Sequence, residues 1–191
     1  MTFQRNTMNS PSLDLNDHLA EHDPAQLPSA LAKALQEAHE LFKARQWEPA
    51  QARYESVLKA APHLEQAALQ WVRCLVFRGQ HMEAREGFSQ LLRNFPNHDA
   101  GWLEAGHLCR QQAQHAQARI CYAKAIELKP DRVEARLSMA RLLEDQGQPE
   151  AAAVEYHRAL SAAGAQINHQ VHWRMAKFRL ERGDASRALE A

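Results

Sequence analysis

Glycine, cysteine and surplus charge are all scarce in this chain. Its 191 residues include seven glycines and three cysteines, and 23 Lys plus Arg are matched by 23 Asp plus Glu. Each shortage closes off a class of protein. Seven glycines beside 45% apolar residues with 3.6-residue patterning predict an all-α chain able to bury a core. A nucleic-acid binder carries a strongly basic balance, and this chain has none. Cys74, Cys109 and Cys121 are odd in number, lie within predicted helices and lack metal or redox spacing, so they read as small buried hydrophobes. No apolar run approaches the length that crosses a bilayer, which predicts no membrane insertion. The amino end, MTFQRNTMNSPSLDLNDHLAEHD, lacks the apolar core of a signal peptide, so a cytoplasmic location is expected.

What the chain does have is a period. Pro62, Pro96 and Pro130 recur every 34 residues, each at a place where a helix must stop, and Gly164 takes the next beat. An aromatic keeps the same step at Tyr54, Phe88, Tyr122 and Tyr156, and a small residue keeps it at Ala50, Ala84, Ala118 and Ala152. The stretch WLEAGHLCRQQAQHAQARICYAKAIELKP, from Trp102 to Pro130, shows the unit most fully. Trp102, Gly106, Ala118, Tyr122, Ala125 and Pro130 resemble the 34-residue pattern of the tetratricopeptide repeat (TPR) family, with Cys109 in place of the usual tyrosine. The resemblance covers about 160 residues and loosens elsewhere: the tryptophan slot holds Ala34, Ala68, Arg136 and His172, and the glycine slot holds Ala38, Val72, Ala140 and Ala176.

The resemblance implies an α-solenoid, a right-handed superhelix of stacked antiparallel helix hairpins in which each unit buries its apolar face against its neighbours. Residues 1–27, rich in Asn, Ser, Asp and Pro, are expected to form a mobile tail, and residues 28–191 the solenoid. The units run 31–64, 65–98, 99–132 and 133–168, with a partial unit at 169–191. Gly79, Gly147 and Gly183 mark turns between paired helices, while Arg45 and Ala113 fill that slot in the first and third units and imply turns that close differently. Gly183 follows Gly147 by 36 residues, so two residues are inserted before the last helix. The chain ends at Ala191 inside an element, which predicts poor cover for Trp173, Phe178 and Leu180. That end would then continue into a longer protein or be covered by self-association.

Catalytic phrases are missing. There is no G-x-x-x-x-G-K, G-x-S-x-G, H-E-x-x-H or paired C-x-x-C, so no enzyme activity and no cofactor are expected within these residues. His169 and His172 stand three apart but have no carboxylate or cysteine nearby in sequence, so no metal site is expected.

In TPR proteins the first helix of each pair lines a concave groove, with its second, fifth, ninth and twelfth positions facing inward. In this numbering the ninth positions are His39, Arg73, His107, Arg141 and Lys177, all basic or able to become so, and Arg110 is a twelfth position. Such a ladder suits an acidic peptide, with the arginines as its strongest rungs and the histidines strengthening below about pH 6.5. The competing reading is a solvated face whose charges only pair along their own helix, Arg141 with Glu144 or Asp145 and Lys177 with Glu181.

The resemblance therefore implies a non-catalytic scaffold that binds a peptide or helix of a partner in its groove for complex assembly. The alternative it leaves open is an N-terminal accessory region of a larger enzyme, such as a sulfotransferase or glycosyltransferase.

Overall fold

A computed structural model of the chain describes residues 27–162, 172, 173 and 175–178. The expected tail lies almost wholly outside them, as do His169, Leu180 and the end of the partial unit. Eight helices follow one another: α1 (Ser29–Lys43), α2 (Trp47–Ala60), α3 (Glu65–Phe77), α4 (His81–Asn94), α5 (Asp99–Gln111), α6 (His115–Leu128), α7 (Val133–Asp145) and α8 (Pro149–Ala162). Residues 172, 173 and 175–178 are also helical, and there is no strand among the described residues. Each of these helices is 13 to 15 residues long, near the limit of independent stability in water. Order must therefore come from packing, and most of the helix starts show it: among the described N-caps only His98 has a side-chain cap bond, its Nδ1 accepting from the Gly101 N–H at 2.9 Å.

The chain falls into two compact units, residues 1–74 and 75–191. In the first, α1 and α2 form a hairpin whose core joins Ala38, Phe42, Ala50, Tyr54 and Val57 to Leu64, Ala67 and Cys74. Phe42 meets Trp47 edge-on at 5.1 Å. In the second, α5 packs on α6 and α7 on α8, with α6 also against α7 and α4 against α5. Its core runs through Leu103, Tyr122, Leu137, Leu142 and Tyr156 to Met175 and Phe178. All four periodic aromatics, Tyr54, Phe88, Tyr122 and Tyr156, are buried, as the repeat register requires.

The turns inside the hairpins depart from expectation. Arg45 and Ala113 adopt φ of 58° and 57°, in the same left-handed region as Gly79 at 73° and Gly147 at 67°. The bonding is the same too. The N–H groups of Arg45, Gly79, Ala113 and Gly147 donate to Phe42, Val76, Arg110 and Glu144 at 2.9–3.0 Å. Those of Gln46, Gln80, Gln114 and Gln148 reach back to Leu41, Leu75, Cys109 and Leu143 at 2.8–2.9 Å. Two reciprocal bonds of this kind close the helix end whatever the side chain, so the repeat imposes the conformation even on residues that disfavour it.

A second departure concerns the tryptophan slot. Trp102 Nε1 donates to the Pro96 carbonyl at 2.8 Å, and Arg136, in the same slot one repeat later, donates from Nε to the Pro130 carbonyl at 3.1 Å. In these two repeats the slot holds a donor that reaches the carbonyl six residues earlier, an indole in one and a guanidinium in the other. At the far end, Trp173 is 63% exposed, as expected, but Phe178 is buried with its ring 5.5 Å from Tyr156. The expectation of poor cover therefore fails for Phe178.

Candidate functional site

The first helices of consecutive repeats carry the predicted rungs. Within the second unit α5 and α7 touch each other directly, and two polar links join them. His107 Nε2 lies 2.8 Å from Ser138 Oγ, and Arg110 Nη1 donates to Asp145 Oδ2 at 2.8 Å. Arg141 stands on the same row, half-buried, with no ion pair or side-chain hydrogen bond among the described residues. The acidic groups one turn on from it are engaged elsewhere: Asp145 with Arg110, and Glu144 as acceptor for the Tyr156 hydroxyl at 3.1 Å. Pairing of Arg141 along its own helix, the competing reading, is not what these helices do.

His107 is not the titrating rung that its position suggested. Its ring sits edge-on to Tyr122 at 5.6 Å between centroids, and burial lowers its pKa to about 4. Glu104 opposes that shift, while Arg110, Arg141 and Arg132 add to it. The imidazole therefore stays neutral well below pH 6.5 and offers a hydrogen bond rather than a charge. Behind it, Arg132 pairs with Asp99 in a half-buried contact that ties the start of α7 to the start of α5.

The remaining rungs divide in the same way. His39 packs its ring 5.6 Å from Tyr54; burial first and then the Lys43 charge lower its pKa, with Glu40 opposing. Arg73, expected as a strong open rung, is only 6% exposed, with its charge felt at the Tyr54 hydroxyl. Lys177 is exposed and lies 5.8 Å above the Trp173 ring. Two members of the row were missed at the sequence level, Ser138 and Asp145. Their signal was available, since each lies one repeat away from its partner, give or take a helical turn, at 31 and 35 residues.

The row combines the neutral His107–Ser138 pair, the Arg110–Asp145 ion pair and the Arg141 cation. Among the described residues no three His, Cys, Asp or Glu side chains gather as a metal would need, and no helix is long and apolar enough to cross a membrane.

Stacked hairpins, a buried aromatic at a 34-residue interval and left-handed turns define a helical repeat protein. The tetratricopeptide repeat pattern matches residues 66–98 and again residues 100–132. No curated protein matches the chain in sequence. Solved structures do match in fold. The chain resembles MamA (residues 41 to the end) from Desulfovibrio magneticus RS-1 at 14% identity, TM-score 0.70, over 85% of this chain and 91% of that one. It resembles Pseudomonas aeruginosa pilF at 15% identity, TM-score 0.73, over 84% and 72%. It also resembles YrrB, described as a TPR protein with an unusual peptide-binding site, at 19% identity, TM-score 0.61, over 84% and 88%. The chain belongs to the tetratricopeptide repeat family, and its fold is the TPR α-solenoid.

Proposed function

We propose that the chain is a non-catalytic interaction scaffold, and that the row on α5 and α7 holds an extended acidic peptide from a partner protein. The observation that carries this is Arg141, a guanidinium on the row that is paired with nothing among the described residues, one helix away from Arg110. A permanently charged fork of donors fits a ligand carboxylate. Arg110 is available as well, because its pair with Asp145 is about one-third exposed and such pairs contribute only about 0–1 kcal/mol. A carboxylate of the ligand can replace Asp145 at little cost. His107 and Ser138, three residues before Arg110 and Arg141 on their respective helices, add a neutral hydrogen-bonding step, and Lys177 supplies a further exposed cation.

The row is open and runs across helices whose axes pack about 8–10 Å apart, which suits an extended segment better than a small metabolite. That YrrB is described as having a peptide-binding site agrees with this choice of ligand. His39 and Arg73, both withdrawn from solvent, are assigned a shaping role in the first unit rather than charge contacts.

The test is fluorescence anisotropy with a labelled Glu-rich peptide and a Gln-rich peptide of equal length. Arg141→Glu is expected to weaken Glu-rich binding by about tenfold, within the range of a lost charge-assisted contact plus repulsion. Arg119→Glu, at an exposed position of α6, should leave it unchanged. Equal affinity of wild type and Arg141→Glu for the acidic peptide would remove the proposal.

A further inference from the structure

The peptide row uses Lys177 as a plain cation and leaves Trp173 without a part. Burial fixes where both residues stand. Met175 and Phe178 are buried, as are Met139 and Leu142 thirty-six residues before them, so the two-residue insertion moves the slots without changing their pattern. In that register Trp173 takes the slot of Leu137 and Leu103, and Lys177 takes the slot of Arg141 and His107. The helical residues that carry them are anchored from below: Met175 shares the core of Leu137 and Leu142, and the Phe178 ring lies 5.5 Å from that of Tyr156 on α8.

Trp173 differs from the residues it replaces. Leu103 and Leu137 are 5% and 6% exposed, and Leu103 shares its core with Val133 and Leu137 of the next first helix. Trp173 is 63% exposed, and the Lys177 Nζ stands 5.8 Å from the centre of its ring. Four residues apart on one helix, the two side chains share a face. They offer an open aromatic surface and an ammonium within reach of the same ligand segment.

We propose that Trp173 and Lys177 form a subsite that selects an aromatic residue with a carboxylate beside it, the ligand ring stacking on the indole and the carboxylate taking the Lys177 ammonium. The inference rests on the reading of the row as a site for an acidic peptide, and it names what that peptide carries.

The chemistry of the pair narrows the ligand. Indole alone would take any apolar side chain, whereas aromatic pairs gain a further attraction from the geometry of their rings. The ammonium repels a basic segment and pairs with a carboxylate. Its contact with the indole is weak at an exposed site, so Lys177 can turn from the ring to the ligand without disturbing Met175 and Phe178 beneath it. Arg141 holds the same slot one repeat earlier, so an acidic segment that reaches Lys177 has a cation to meet on the way. Charge also decides against a second copy of the chain as the occupant. A two-fold contact centred on Trp173 would bring one Lys177 ammonium up to the other, a like-charge encounter that an acidic peptide avoids.

The experiment measures fluorescence anisotropy of the full chain with labelled Glu-rich peptides of equal length, one without an aromatic residue, one with Phe at its amino end and one with Phe at its carboxyl end. Phe at one end is expected to tighten binding by about three- to tenfold, and Phe at the other end to do little. Trp173→Ala, at an exposed position, should erase that gain and leave affinity for the Phe-free peptide within about twofold of wild type. Lys177→Gln should weaken the Phe-bearing peptide by about two- to threefold, with a smaller loss once the Glu beside the Phe is replaced by Gln. Tryptophan emission should change when the Phe-bearing peptide binds wild type, and Trp173→Ala should lose that change. Equal affinity with and without Phe, or a gain that survives Trp173→Ala, would overturn the subsite, while weaker binding by Arg141→Glu in the same assay would leave the row standing. Failure of every acidic peptide to bind removes both. Dimerisation in sedimentation velocity that Trp173→Ala abolishes would assign the indole to a second copy and overturn the proposal.

Discussion

The first and third repeats place a histidine against a buried tyrosine in the same way, yet only one of the two is closed by a polar link. His39 lies 5.6 Å from Tyr54 and His107 lies 5.6 Å from Tyr122, ring centre to ring centre. Thirty-one residues after His107, Ser138 completes a hydrogen bond at 2.8 Å. Thirty-one residues after His39 stands Gln70, and neither His39 Nε2 nor Gln70 Oε1 has a protein partner among the described residues. The twelfth position differs as well: Arg110 is tied to Asp145 in one case, and the apolar Phe42 is buried in the other. The ring pair belongs to the repeat, because the tyrosine is one of its periodic core residues. The polar link belongs to a position the repeat leaves open, so each hairpin can carry a different surface on the same frame.

The comparison can be broken most severely at its shared element. Tyr54→Ala and Tyr122→Ala should each cost about 3–5 kcal/mol in urea unfolding, as expected for large aromatics that are fully buried. A loss within error at either site would mean the two hairpins are not equivalent.

Acid separates them next. The unfolded His107 takes a proton near pH 6.5 and the native one only near pH 4, so between those values the unfolded state binds the extra proton. Stability is therefore fully present above about pH 6.5 and falls as the pH drops, by on the order of 3 kcal/mol at pH 4. His107→Gln should flatten that part of the pH profile of unfolding free energy. His39→Gln should flatten it in the same direction.

The glycine slot gives a smaller contrast. A Cβ built on Gly106 would lie 2.5 Å from the Tyr122 ring, so Gly106→Ala should cost about 1–3 kcal/mol by overpacking. The first repeat already holds Ala38 there, fully buried, and needs no such relief. Thermal unfolding of the single variant decides it.

The smallest effect lies at the turns. Ala113 at φ 57° bears a left-handed conformation that costs about 1–2 kcal/mol, and glycine gives back part of that gain as unfolded-state freedom. Ala113→Gly should therefore raise stability by about 0.5–1 kcal/mol in urea unfolding, and Gly147→Ala should lower it by a similar amount.

Much of the frame was legible in the residues. The 34-residue step of the prolines and aromatics placed the hairpins, because a helix stop and a buried ring each leave a mark at a single position. The turns at Arg45 and Ala113 were misread, since glycine is the usual sign of a left-handed residue and neither position carries one. The charge of the predicted rungs was not legible. Arg73 and His107 are withdrawn from water, and burial decides whether a histidine acts as a cation.

The sequence alone determined that this chain is a stack of helix hairpins and which residue types recur inside it, because periodic apolar and turn residues act locally and repeat. Only the tertiary structure decided that His107 bonds to Ser138, that Arg110 takes Asp145 as its partner, and that Arg132 ties back to Asp99. Those pairings join residues from different helices, and whether two such groups touch depends on how the helices pack, which no spacing along the chain records.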